Sequence, residues 1–229
     1  MPETRCDTAP NDRPPTPPLA WAGSSFPPII IAAPGPSLTV DVIDAVRARR
    51  LLPDPPGLLA VTGAALVLPD ADLVYAADGK WWDAHDGLPG YAGDRWIQDK
   101  GDGAKAAERW GLSLVASASG NAPRLAGAVV SQGHNSAFQA LNLAVLMGAR
   151  RLILIGLDLA LGEDGRKHCF GDYAEPRLNI ASPYPLFRRA FDAAAPDYAA
   201  AGIEIVNAST RSALTCFPRL TLEEALAWA

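Results

Sequence analysis

Apolar residues along this chain fall into short runs, each followed by a polar loop, with helix-spaced segments between them. The clearest unit runs from Ser131 to Tyr173. Within it, Ala137 to Met147 puts Phe138, Leu141, Ala144, Val145 and Gly148 on one face, the spacing of an amphipathic helix. Gly148 ends that helix, as a glycine just past the last turn does. Arg151 to Gly156 (RLILIG) is nearly all apolar and predicts a parallel strand covered on both faces. The polar loop beyond it carries Asp158 and His168.

The same order recurs along the chain. Pro28 to Ala33 (PIIIAA) predicts a first buried strand, followed at once by Pro34-Gly35-Pro36-Ser37-Leu38. A helix with Val40, Ile43 and Val46 inward follows, and Arg47, Arg49 and Arg50 suit the negative end of its dipole. Gly57 to Thr62 and Asp72 to Ala77 predict strands two and three, separated by the turn residues Pro69 to Asp72. Residues 86–127 are the least legible; strands at 94–98 and 112–116 are compatible with the pattern without being fixed by it. Tyr184 to Ala201 predicts a helix that Pro196 would kink or break. Ile203 to Val206 predicts a last strand opening into Asn207 to Ser212, and Leu222 to Trp228 a short final helix with Thr221 as N-cap. Strands alternating with helices give an α/β fold: one Rossmann-like, three-layer domain with a mostly parallel sheet over residues 28–229. The proline-rich residues 1–27 predict a disordered or extended arm, on which Trp21 and Phe26 are candidates to dock.

Composition narrows the classes. At 229 residues and 49% hydrophobic, the chain can bury a full core as one domain. A net charge of -5 argues against a general nucleic-acid binder. Cys6, Cys169 and Cys216 have no paired spacing, so neither a disulfide framework nor a zinc site is expected. No apolar run reaches the roughly 18 residues of a membrane span. The first residues carry Glu3, Asp7 and Asp12 without an apolar stretch, so no secretory signal is expected and the cytoplasm is the default location.

In a parallel sheet the polar loops after the strands converge on one edge, where ligands of open α/β sheets bind. Gly35, Pro36 and Ser37 form a strand-to-helix loop that suits a phosphate, although a tight turn with Ser37 or Thr39 as N-cap accounts for the same residues. Asp78 follows strand three directly and is a candidate contact for sugar or ribose. Trp81 and Trp82 read either as a stacking wall or as one core and one half-buried tryptophan, the second reading being preferred. His85 reads as a surface histidine. Asn135 or Ser136 caps the central helix, and the same helix start can hold an anion. His168 is the candidate general base, with Asp158 or Asp172 to orient its ring and Lys167 or Tyr173 to meet a departing phosphate. Asp158, His168 and Asp172 match no standard zinc spacing, and Mg²⁺ dependence stays open.

Ile29 to Leu38 (IIIAAPGPSL), Asn135 to Asp158 (NSAFQALNLAVLMGARRLILIGLD) and His168 resemble the layout of bacterial family-42 glycosyltransferases, sialyltransferases that use a CMP-sugar. The wider set with similar Rossmann-like domains includes 6-hydroxymethylpterin diphosphokinase-like proteins. Uncharacterised bacteriophage and prophage proteins are similar over most of residues 28–220, including Asn207 and Ser212 to Pro218 (SALTCFP). The resemblance implies a nucleotide-sugar donor, held by Gly35, Pro36, Ser37 and Ser136, with His168 as base. Pro34 and Thr62 stand where the sialyltransferases have asparagines. The diphosphokinase-like alternative implies ATP and Mg²⁺ on Asp78 and Asp158. A third alternative is a non-catalytic phage module that kept the fold.

Overall fold

The computed structural model describes residues 15–18, 21 and 26–229. Most of the predicted arm, Cys6 included, lies outside the described residues. Among those described, eight strands form one sheet in the order β6-β5-β4-β3-β2-β1-β7-β8, every neighbouring pair parallel. The strands are β1 (Ile29–Ala32), β2 (Gly57–Val61), β3 (Leu73–Tyr75), β4 (Asp94–Gln98), β5 (Ser113–Ala118), β6 (Val129–Ser131), β7 (Arg151–Ile155) and β8 (Glu204–Asn207). The helices are α1 (Val40–Arg50), α2 (Gly79–Ala84), α3 (Gly103–Trp110), α4 (Ser136–Leu146), α5 (Tyr184–Ala200) and α6 (Leu222–Trp228).

The strand order explains the layering. From β1 to β6 the chain steps outward in one direction, then α4 carries it back across the sheet to β7 on the other side of β1. Right-handed crossovers put helices on opposite faces when the direction of travel reverses. Accordingly α1, α2, α3 and α6 pack over Ile30, Ala32, Leu58, Ala60, Val74 and Ile153. The other face, with Ile29, Ile31, Leu59, Val61, Leu152 and Leu154, is covered by α4 and α5. The reversal falls between β1 and β7, so a crevice opens between their carboxyl ends.

α4 is more deeply placed than a one-faced helix: every residue from Ala137 to Leu146 is buried, as a helix enclosed on all sides requires. Gly148 does end it, at φ 118°. Pro196 lies inside α5 without breaking it. The structure adds three elements that periodicity did not reveal: α2, α3 and the three-residue edge strand β6. It also corrects the aromatic readings. Trp81 and Trp82 are both buried, in edge contact at 5.0 Å between ring centroids, so neither is the half-buried surface residue expected, and Trp81 alone of the two borders the crevice. His85 is half-buried rather than a surface residue: its Nδ1 is 2.7 Å from the Trp81 carbonyl and its ring lies against Trp81. Trp21 is buried, and its Nε1 donates to Asp72 at 2.9 Å, at the edge of the sheet away from the crevice.

Candidate functional site

The loop after β1 and the loop after β7 are built as one unit. Gly35 N donates to the Gly156 carbonyl at 2.8 Å. A methyl group on Gly35 would stand 2.4 Å from both Asp158 Oδ2 and that carbonyl, so only glycine allows the approach. Gly156 has φ 63°, and a methyl group there would stand 2.1 Å from the Ala33 carbonyl. Ser37 then turns beneath the loop: its N–H donates to Asp158 Oδ2 at 2.7 Å and its hydroxyl to Oδ1 at 2.5 Å. Asp158 is 3% exposed, and both its oxygens are engaged.

The segment after β8 braces this unit from behind. The Ser209 hydroxyl accepts from Leu157 N at 2.9 Å, and the Ser212 hydroxyl donates to the Leu157 carbonyl at 2.6 Å. Ala213 N reaches the Asp158 carbonyl at 2.7 Å. Asn207, fully buried, holds the turn through Ser209 N and the Leu214 carbonyl. The segment from Asn207 to Leu214 thus supports the site without lining it.

Two glycine-type turns precede α4. Gly133 and His134 have φ 50° and 63°, and Asn135 caps the helix with Oδ1 accepting from Phe138 N at 2.8 Å. Its Nδ2 is used on the Gly133 carbonyl at 2.9 Å. Asn135 is therefore the cap, and Thr39 rather than Ser37 caps α1. Ser136 Oγ accepts from Ala77 N at 3.2 Å, tying the start of α4 to the end of β3. The N–H groups of Ser136 and Ala137 make no bond within the described residues. As the first donors of α4 they retain the positive end of the helix dipole.

These loops enclose a cavity of about 670 Å³, within the range of small-molecule sites. Gly35, Asp78, Asn135, Ser136, Asp158 and His168 all line it; Pro36 and Ser37 do not. For those two the expectation of direct ligand contact is corrected: Ser37 is consumed in fixing Asp158. Three basic side chains not singled out for the site also line it: Lys80, Arg177 and His134. Lys80 and Arg177 sit in segments read as loop without periodicity, which is why the sequence pattern passed over them. Lys167, singled out beside His168, lines it as well and donates to the Ile180 carbonyl.

Thr62 lines the same cavity with φ 46°. A β-branched residue is a true outlier in that region, and such strain concentrates at functional sites.

His168 stacks on Phe170 at 5.3 Å and meets the edge of Tyr173 at 5.1 Å. Tyr173 is fixed by Gly63 N donating to its hydroxyl at 3.1 Å and by the Asn179 side-chain amide, which accepts from Tyr173 N and donates to the Tyr173 carbonyl, both at 2.8 Å. Cys169 N donates to the Pro34 carbonyl at 2.8 Å, joining the His168 loop to the β1 loop. Burial pushes the His168 pKa below its usual value, with Lys167 adding to the effect and Asp172 opposing it. The imidazole is therefore neutral at pH 7. Its Nδ1 is enclosed with no hydrogen-bond partner, so neither Asp158 nor Asp172 orients the ring through a bond, contrary to expectation. Nε2 is left as the nitrogen that can face a ligand. Asp78 is shifted upward, chiefly by desolvation and by the Asp102 carboxylate, with Lys80 offsetting part of this. Among the described residues no three His, Cys, Asp or Glu side chains gather at one point, so Asp158, His168 and Asp172 do not form a metal cluster. No helix among them is long and apolar enough to cross a membrane.

No family model matches the chain, and no curated protein matches its sequence. A solved structure similar to it is that of the MAf glycosyltransferase from Magnetospirillum magneticum AMB-1, with a TM-score of 0.61 over 86% of this chain at 14% identity. The chain spans 34% of that protein, about a third of its length. At this identity the likeness is one of fold: an α/β Rossmann-like domain similar to part of a glycosyltransferase.

Proposed function

We propose that the cavity binds a nucleotide-activated sugar and that the chain is a glycosyltransferase-like enzyme, with His168 as general base. The observation that carries this reading is the meeting of a neutral, open imidazole with an anion-binding end in one cavity. Ser136 and Ala137, whose N–H groups make no bond among the described residues, line the same cavity as Lys80. Phosphate oxygens are the ligand such an arrangement favours. Of the cavity's two carboxylates, Asp158 is bonded to Ser37, which leaves Asp78 to meet a sugar hydroxyl or a Mg²⁺ carried by a diphosphate. Asp158 then acts by position, holding the β1 and β7 loops together. This also weakens the diphosphokinase-like alternative, which needs Asp158 as a metal ligand.

In the reaction the acceptor oxygen bonds to the anomeric carbon as the bond from that carbon to the donor phosphate breaks. The electron pair leaves with the phosphate, where the α4 N–H groups and Lys80 stabilise the charge. The acceptor proton passes to His168 Nε2. The resemblance of residues 28–220 to phage and prophage proteins is the ground for proposing an enzyme of that type working in the cytoplasm.

A thermal-shift screen against CMP, CDP, UDP, GDP, ATP and their sugar conjugates, with and without Mg²⁺, tests the reading. A ligand at a hundred times its Kd stabilises by about 2.7 kcal/mol. The expected result is a shift with one nucleotide class that Lys80→Ala weakens, and donor hydrolysis that falls about 10²–10⁴-fold in His168→Ala. A flat screen on folded protein would instead mean a module that kept the fold without the activity.

A further inference from the structure

A histidine that acts as a base is commonly steadied by a carboxylate or carbonyl on its second nitrogen; His168 has neither, and the turn that carries it supplies another support. Gly171, at φ 90°, closes that turn with its N–H on the His168 carbonyl at 3.0 Å, and the Cys169 N–H ties its middle to the Pro34 carbonyl at 2.8 Å. The side chains at 168 and 170 are thereby brought face to face, their ring centroids 5.3 Å apart and their planes within 16° of parallel. Tyr173 completes the set: its ring lies 5.1 Å from each of the other two and crosses them at 61° and 64°. Stacked and edge-on pairs at such spacings are favourable. Phe170 does not line the cavity, so it touches the imidazole without reaching a ligand. Both Phe170 and Tyr173 rest on Gly63, just past the end of β2. A methyl group there would stand 2.5 Å from Phe170 Cζ and 2.6 Å from the Tyr173 hydroxyl. Gly63 does not have a positive φ, so the position needs the absence of a side chain rather than the backbone freedom of glycine.

We infer that Phe170, seated on Gly63, is a positioning residue for His168: ring contacts take the place of the missing hydrogen bond and fix the direction in which Nε2 is offered. The inference rests on the glycosyltransferase reading above for what His168 does, and on the ring geometry alone for how it is held. A stacked neighbour fixes the plane of the imidazole, and the Tyr173 edge stops the ring from turning out of it. Without them the side chain would rotate freely and present Nε2 in several directions, and a small misplacement of a reacting group is costly in rate. The same rings keep water from the imidazole, and burial is the main reason its pKa lies below the usual value. Lys167, Asp172 and Arg177 on the same segment, Asp158 on the β7 loop, Asp78 and Lys80 at the start of α2 and His134 before α4 are left in place when Phe170 or Gly63 is changed. A moved titration of His168 in such a variant therefore reports the rings.

The test follows the imidazole Cε1–H signals of the full chain by NMR as pH is varied, beside steady-state hydrolysis of the sugar nucleotide found in the screen. The chain has three histidines, and the signal lost in His168→Gln identifies the one in question. Phe170→Leu keeps an apolar side chain but removes the flat face; Gly63→Ala pushes the ring from below. The inference expects both to move the His168 titration up toward the ordinary histidine value. It also expects kcat to fall about tenfold, a part of what a positioned base contributes, while KM for the donor and the nucleotide-induced thermal shift hold. Unchanged titration or unchanged kcat in folded Phe170→Leu overturns it, since the rings would then only fill space. A loss carried by KM overturns it as well, because the cavity rather than the base would be disturbed. Should Gly63→Ala fail to fold, Phe170→Leu decides alone, Phe170 being half-buried. A titration that moves in protein that binds no nucleotide would uphold the ring support and remove the glycosyltransferase reading.

Discussion

A histidine is informative here because its surroundings are unusual for a base. Most general-base histidines have one nitrogen held by a carboxylate or carbonyl; His168 has an enclosed Nδ1 without a partner and is positioned by rings on two sides. Its depressed pKa fixes the sign of two pH effects. Catalysis needs the neutral form, so kcat/KM should stay level from pH 8 to about 6.5 and fall below that, through the folded-state pKa. Stability follows the same direction. The unfolded chain takes up the proton near pH 6.5 while the folded chain resists, so stability is lost as pH drops from about 6.5 through the lower folded value. Urea denaturation at pH 7.5 and 5.5 checks this: His168→Gln should remove part of the difference between the two, and an identical difference in both proteins would show that His168 titrates normally. The sequence pointed to this histidine by its type and motif. What it could not show was that Asp158, only ten positions away, would be held by Ser37 across 121 residues of chain.

At the scale of elements, legibility followed hydrophobic pattern. α1, α4, α5 and α6 and the strands β1, β2, β3, β7 and β8 lie in runs long enough, or apolar enough, to declare themselves. β6 has three residues and α2 has six; unlike the equally short β3, which lies in the apolar run Asp72 to Ala77, neither sits in a run long enough for a period to register. α3 does have a buried stripe, Ala106 and Ala107 among it, but alanine and glycine mark a face poorly. The consequence for the site was Lys80: it sits in the first turn of α2, and without that helix it had no reason to be placed beside Asp78. The start of α4 was legible because capping is a local rule. Asn135→Ala should cost about 1 kcal/mol in denaturant unfolding, the usual value of an N-cap, and should weaken the nucleotide-induced thermal shift as the first turn frays. Asn135→Ser, an equivalent cap, should restore both. If Asn135→Ala lost the shift and Asn135→Ser failed to recover it, the Asn135 amide would itself be a ligand contact.

Across the whole molecule, the site is the consequence of one reversal in strand order. Because β1 and β7 are neighbours in space but are separated in the chain by β2 to β6, their loops must be joined by hydrogen bonds, which the Gly35–Gly156 backbone pair and the Ser37–Asp158 contacts supply. β8, added outside β7, supplies the outer brace through Ser209 and Ser212. The wall of the cavity at Leu157 and Asp158 is therefore held by residues that do not line it. Ser212 tests this directly. Ser212→Ala removes a donor from the Leu157 carbonyl and an acceptor from Leu214 N, both in a buried segment, at a cost of about 1–3 kcal/mol per unsatisfied group. The expected outcome is a lower urea midpoint together with a smaller nucleotide-induced shift, although the nearest cavity atom belongs to a different loop. Ser37→Ala should do the same from the other side, and the double variant should fall short of the sum, since both act by loosening Asp158. Strict additivity would mean that the two serines stabilise separate parts of the domain, and that Asp158 is not the joint through which the β8 loop reaches the cavity.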